Sequence, residues 1–453
     1  MHVCLVDGKD LDPGVQYTTL SYCWGDLHKC TLRQGNMRDL YVSIPWASMP
    51  ETFRDALWFT HKLGYNFLWI DALCIIQDSS MDWSSEAASM KTVYGNSALN
   101  IMADRGTNSD HGLFASRPPK VVRPFIWRRR ASSMWLCHVE QVTQEIFAAP
   151  LNHRAWVVQE RFLAPRSIHF GANQVFWECA EMTAAEALPL TFSLRVAGAQ
   201  APKRLSRTAI DALITGKGGL AVYDIWDVFV HIYAFAKLSY TRDRSIAISG
   251  LARIICRHLG LAQRDYLAGM WRPRFVQEML WHVQQVDKWS RSSRSVDGLV
   301  PSWSRLSIEA GVISAFYTGD GHPPSMDCVH TVATLLDAVI MTERSEPFGL
   351  VIGGHARLRG PLCKVTCLRT FAKEPRGADL PDLDTLTLGD AQLEKAKAFS
   401  IYLDNDTEEG VHEVLSQEVY LFMASVGFDP PTGELGQFER TSTYATTGIP
   451  KYV

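Results

Sequence analysis

Four signatures are missing from this sequence, and each absence removes a class of function. No stretch of 18 uncharged apolar residues occurs; the most apolar run, 221–238, carries Asp224, Asp227 and Lys237, so it reads as a buried helix rather than a membrane span. The opening MHVCLVDGKD has neither a cationic n-region nor an apolar h-region, so a cytoplasmic protein is expected. No G-x-G-x-x-G and no G-x-x-x-x-G-K-[ST] appears, which takes away the two common phosphate-cradling loops. No C-x-x-C occurs among the 10 cysteines, and neither Cys23, His28 and Cys30 nor Cys363 and Cys367 has paired zinc spacing. Reduced thiols and no metal are therefore expected.

Charge is also nearly absent as a net quantity. The 45 Lys+Arg against 48 Asp+Glu leave −3, so no whole-chain field exists to hold nucleic acid or an anionic membrane. The basic triplet Arg128-Arg129-Arg130 reads as a solvated hairpin turn. What the chain does have is length and apolar content: 453 residues, 47% hydrophobic, enough for one large core or several smaller ones. It also has 14 tryptophans, many beside charged residues, which suit either a bulky core or aromatic-walled sites.

Along the first hundred residues, strand-like and helical patterns alternate. Residues 17–22 are β-rich and end at Trp24-Gly25-Asp26, a turn. Pro50 opens a helix whose Phe53, Ala56, Leu57 and Thr60 share a face, and Gly64 caps it. Phe67–Ile70 is a short apolar strand stopping at Asp71. Asp82 is placed to cap the next helix, with Trp83, Ala87, Met90 and Tyr94 on one side and Gly95-Asn96 at its end. Residues 98–103 form the next strand. This βαβαβ pattern predicts an α/β fold with a parallel sheet, covered on both faces and extended by hairpins at 124–140 and 167–177 around the helix 154–161. A domain at 1–180, a helix-rich segment at 181–300 and a mostly β region at 301–453 complete the expected organisation. Ligands of such sheets bind at strand carboxyl ends, which puts Trp24, Gly25, Asp26 and Asp71 on one rim.

The segments YTTLSYCWGD (17–26), MPETFRDA (49–56), residues 63–103 with the block LWIDALCIIQ, HGLFASR (111–117) and RAWVVQERFLAPRSIHFGANQVFWEC (154–179) resemble, in order and spacing, the signature blocks of the fungal heterokaryon-incompatibility (HET) domain. The resemblance covers about residues 3–180. Ala72 stands where the family usually shows Ser. The family implies fungal self/non-self recognition and programmed cell death, triggered through a HET partner protein or a homo-oligomer. HET domains are also similar to TIR domains, flavodoxin-like in topology, some of which hydrolyse NAD with a helix glutamate. The matching position here is Glu86, three residues after Trp83.

Several residues could carry chemistry in that frame, each with a plainer reading. Glu86 can stabilise an oxocarbenium-like state, or as a first-turn carboxylate complement the helix dipole. Asp71 can orient a ribose hydroxyl or act as an acid/base group, or cap the loop that follows it. Asp26 binds a ligand or serves the turn. Cys74, with His153 or His169 and Asp71, is a nucleophile candidate or an inert buried thiol. Arg154, Gln159, Glu160, Arg161, Arg166 and Glu178, alternating with Trp156 and Trp177, either clamp an anionic ligand or satisfy one another as a buried network. Ligand-binding candidates are thus Trp24, Gly25, Asp26, Trp83, Arg154, Gln159 and Arg161. The readings are a cell-death effector hydrolysing a nucleotide, a non-catalytic assembly module, and an enzyme of small-molecule (secondary) metabolism. A small-molecule or nucleotide ligand is expected, with no cofactor.

Overall fold

The structure is a computed structural model that describes residues 2–25, 30–116, 148–179, 181–186, 220–238, 240–279, 299–301, 303–307 and 334–359, with short segments between and beyond them. The chain divides into two compact units, Met1–Ser239 with Ile246–Leu259, and Tyr240–Ser245 with Gly260–Val453.

The first unit is built on a six-stranded sheet. Thr18–Ser21 (β1) pairs in parallel with Leu68–Ile70 (β2) on one side and Leu99–Met102 (β3) on the other. Arg166–Phe170 (β6) joins β3 in parallel, then Val175–Cys179 (β7) and Thr183–Ala185 (β8) follow antiparallel. The order is β2-β1-β3-β6-β7-β8, mixed but mostly parallel where the connections are helical. The hairpin Phe125–Arg129 (β4) with Ser132–Leu136 (β5) forms a separate two-stranded sheet. Stepping from β1 to β2 goes one way across the sheet, and stepping from β2 to β3 and on to β6 goes the other. This reversal makes the β1/β3 border a topological switch point.

Why the helices form is legible locally. Pro50 precedes Glu51–Lys62 (α2), which buries Phe53, Ala56 and Thr60 along one stripe; Thr60 bonds Thr18 hydroxyl to hydroxyl at 2.8 Å. Against α2 lie Leu20, Ile70 and Ile101, the apolar face of the sheet. Ser80–Gly95 (α4) buries Ala87, Met90 and Tyr94. Its cap is Ser79, whose Oγ accepts from the Asp82 amide at 3.2 Å, and not Asp82 as the sequence suggested. Asp82 instead accepts from the Ile76 amide at 2.8 Å, which fixes the connection from the short helix Asp71–Cys74 (α3). The side chain nearer the loop took the loop's donor and left the cap to the earlier serine.

The opposite face of the sheet is unusual for parallel strands. In register across β1, β3, β6 and β7 run Thr19, Asn100, Ser167 and Glu178, and beside them Ser21, Met102, His169 and Phe176. All eight are buried, and six of them carry hydrogen-bonding or charged groups next to the sheet centre. Parallel strands covered on both faces ordinarily read as continuous apolar runs. Here the polar face is roofed by α4 and by Ala155–Leu163 (α5), which meet edge to face through Trp83 and Trp156 at 6.2 Å. Two further helices of this unit, Leu220–Ala234 (α6) and Ser249–His258 (α7), pack on α5. Trp226, Phe229 and Tyr233 of α6 are buried, as their spacing predicts.

The second unit has a small apolar cluster of Leu267, Met270, Phe275 and Ala338. Its hairpin turns on Ala268 and Gly269, with φ of 47° and 93°, and the antiparallel pair Thr334–Thr342 and Val351–Arg359 follows. Among the described residues no helix is long and apolar enough to cross a membrane.

Candidate functional site at the strand carboxyl ends

Because β2, β1, β3 and β6 are parallel, the residues that follow them share one rim. Tyr22, Cys23 and Trp24 leave β1, Asp71 leaves β2 and Asp104 lies just beyond β3. Trp24 Nε1 donates to Asp71 Oδ2 at 2.7 Å, and the Ala72 amide donates to Oδ1 at 2.7 Å. The Tyr22 hydroxyl also bonds to Asp71. Tyr22 and Trp24 stack nearly parallel, 7° between planes and 6.3 Å between centroids.

Arg154, at the start of α5, donates to the Tyr22 carbonyl and lies in the field of both Asp71 and Glu160. Burial pushes the Asp71 carboxyl above the usual range, although Arg154 and the bonds from Trp24, Ala72 and Tyr22 pull it back. Glu160, on α5, is pushed up to about 7 by burial, against the pull of Arg154 and of hydrogen bonds from Ser21 and Tyr94. Ser21 Oγ in turn accepts from Asn100 Nδ2 at 3.1 Å, so the polar row of the sheet reaches the rim through this hydroxyl. Two buried carboxyls, both raised by burial and sharing the field of one guanidinium, with Glu160 near neutral pH, are an arrangement suited to acid/base chemistry.

Deeper on the same face lies a buried ion network. Arg161 grips Glu178 with two bonds, Nε to Oε2 at 2.9 Å and Nη2 to Oε1 at 2.6 Å. His169 sits between Asp104, 2.8 Å from Nδ1, and Glu178, 3.0 Å from Nε2. Burial alone would lower the imidazole, but the two carboxylates outweigh it and hold it above its ordinary range.

The sequence candidates therefore divide. Trp24, Asp71 and Arg154 meet at the rim. Gly25 is next to it, with φ +71°, and its Cα faces Asn108 so closely that an added Cβ would stand 2.4 Å from Asn108 Cβ. Gly25→Ala is expected to destabilise the unit by about 1–3 kcal/mol, read from the denaturant midpoint, because alanine must adopt a left-handed backbone and displace the loop. Asp26 lies outside the described residues. Gln159 ties helices together: its Oε1 accepts from the Gly250 amide at 3.3 Å, and its Nε2 faces Met90 Sδ at 3.9 Å. Arg161 belongs to the ion network. Trp83 packs on Trp156. Glu86 is half-buried, accepts from the Ser89 hydroxyl at 3.2 Å, and is raised by burial. Cys74 lies in the fields of both Asp71 and Glu86, and burial pushes its thiol up to about 12. His169 cannot activate it, since both ring nitrogens are engaged elsewhere, and His153 is exposed.

In the sequence Glu160 stands out only as one of a polar set with two readings, and Tyr22, Tyr94, Ser21, Asn100 and Asp104 carry no functional signal of their own. What signal there is comes from context: Thr19, Ser21 and Asn100 are polar residues inside strands that their neighbours force to be buried.

Residues 17–160 match the family model described as heterokaryon incompatibility protein (HET). This stretch is similar to HET domains. No curated protein and no solved structure matches the chain. The HET match begins one residue before β1 and ends at Glu160, so it spans the parallel strands β1, β2 and β3 and the rim residues Tyr22, Trp24, Asp71, Asp104 and Arg154. Among the described residues no group of His, Cys, Asp and Glu is arranged to hold a metal ion.

Proposed function

We propose that the HET domain is the catalytic effector of a fungal self/non-self response, hydrolysing a glycosidic bond such as the nicotinamide–ribose bond of NAD at the strand carboxyl ends. The observation that carries this reading is the pairing of Asp71 and Glu160 in one field with Arg154 between them. In such a reaction nicotinamide leaves with the bonding electron pair, and positive charge develops on the ribose. Asp71 supplies the stabilising negative charge. Glu160, ionised, takes the proton of the water that adds to the ribose carbon. Tyr22 and Trp24 supply apolar walls, and Arg154 holds both carboxylates in place. Glu86 is a further candidate for the stabilising carboxylate on the strength of the TIR resemblance. In this reading residues 181–300 and 301–453 are accessory, and the trigger comes from a partner protein or a second copy of the chain.

Nicotinamide release from NAD by the purified protein, followed by chromatography, tests the reading; no release from NAD or a related nucleotide overturns it. Within a positive result, loss of turnover in Glu86→Gln assigns the stabilising charge to Glu86. Full turnover there, with loss in Asp71→Asn, assigns it to the rim pair. A recognition module without chemistry is the second reading, favoured by the exposed side chains Tyr41, Val42 and Trp46 around Met37–Val42 (α1).

A further inference from the structure

We infer that the rim of the HET domain binds a positively charged ligand, and that Asp104 is a residue that receives it. The inference rests on the reading of this rim as the ligand site, and it adds the charge class of what enters. Four buried or partly buried carboxyl groups, Asp71, Asp104, Glu160 and Glu178, are linked by proximity into one set with Arg154, Arg161 and His169. Cys23 lies at the middle of that set, within the fields of Arg154, Asp104 and Glu160. Even with the imidazole charged, the set has four acidic groups to three basic ones, so with Glu160 ionised one carboxylate is left unmatched. Buried charge of one sign is costly unless it is matched.

Asp104 marks where the match is missing. It is 1% exposed and follows the carboxyl end of β3, at the switch point of the sheet. Its Oδ2 meets His169 at 2.8 Å, whereas Oδ1 is buried with no hydrogen-bond partner. Its neighbour Arg105 does not supply one, because that guanidinium turns to the His111 carbonyl. A buried carboxylate oxygen without a donor is the exception that calls for an explanation, and a ligand N–H or cationic group provides one. The aromatic side of the rim suits the same class: the near-parallel Tyr22 and Trp24 rings stand beside Asp71, and cations favour ring faces. An anion fits poorly. Arg161 is spent on Glu178, and Arg154 already meets Asp71, Glu160 and the Tyr22 carbonyl.

The test uses three probes that share one ring and differ in charge: 1-methylnicotinamide (a cation), nicotinamide (neutral) and nicotinate (an anion). Binding to the full chain is measured by calorimetry, without reference to turnover, so a failure here is separate from a failure of hydrolysis. The expected order is cation, then neutral, then anion, with Asp104→Asn lowering the affinity for the cation by roughly tenfold or more and leaving that for nicotinamide unchanged. Equal affinity for cation and neutral ring, a preference for the anion, or no binding of any probe at millimolar concentration overturns the inference. Should Asp104→Asn not fold, the order of the three probes on the wild-type protein decides alone.

Discussion

Replacing Glu178 with alanine will cost the first unit about 3–5 kcal/mol of stability. Glu178 is fully buried and is the shared partner of two basic groups, Arg161 through two bonds and His169 through one. Removing it leaves the guanidinium without its bidentate carboxylate, in a place water does not reach, and leaves the imidazole with Asp104 alone. The penalty is that of stranded charge, which exceeds the net worth of the pair. The pH dependence has a definite sign. His169 is held above its ordinary value in the fold, so the stability it contributes is complete below the unfolded value and is lost as pH rises through the folded one. Glu178→Ala should weaken that dependence as well as lower the midpoint. Urea unfolding of wild type, Glu178→Ala and the exposed control Glu181→Ala at several pH values measures both effects. A loss under about 1 kcal/mol for Glu178→Ala would mean that water reaches the network.

Glu160→Gln is expected to lower turnover by about 10²–10⁴-fold while making the protein more stable at neutral pH. The side chain keeps its size and its bonds to Ser21 and Tyr94, but it can no longer take a proton. In the fold the carboxyl releases its proton near 7, against 4.5 when unfolded. Folding therefore holds a proton across that interval, so the contribution of Glu160 to stability falls as pH rises from about 4.5 to about 7 and is flat above. The difference over the interval is about 3 kcal/mol. Turnover, which needs the ionised form, rises through the same window. Wild type should thus gain activity where it loses stability, and Glu160→Gln should lose that rise in activity and show a shallower fall in stability, with only the part from groups such as His169 remaining. A parallel pH–stability curve in wild type and variant would remove Glu160 from both roles.

How far the sequence reached depended on whether a residue's role is local. The elements of the βαβαβ unit follow from side-chain period, proline and glycine, which act on their own neighbours, and β1, α2, β2, α4 and β3 lie within a residue or two of where periodicity puts them. The cap of α4 moved from Asp82 to Ser79 because a tertiary donor, the Ile76 amide, competed for the carboxylate. Asp71 and Trp24 could be placed on the rim because strand direction alone carries them there, whereas Arg154 reaches it from the start of α5. Gln159 and Arg161, neighbours of Glu160 in the chain, serve packing and charge balance instead, and only the rotation of α5 against the sheet separates the three. Asp104 was invisible for a related reason: its meaning comes from His169, 65 residues away.

The route of the chain sets an order of assembly during synthesis. The HET match ends at Glu160, yet Gln159 on the same helix accepts its hydrogen bond from Gly250, on a helix that belongs to the first unit although Tyr240–Ser245, just before it, belongs to the second. When Glu160 leaves the ribosome, β6 has not yet emerged, and the helices that cover α5 follow later still. The buried acids and bases of the rim therefore wait in water, where each is comfortable alone, until almost a hundred further residues have emerged. Nascent chains stalled before Leu259 should remain protease-sensitive across Ala155–Leu163, and chains released beyond it should not. If the rim is reactive as proposed, a face sealed by a late helix would keep an unfinished copy of the chain from acting.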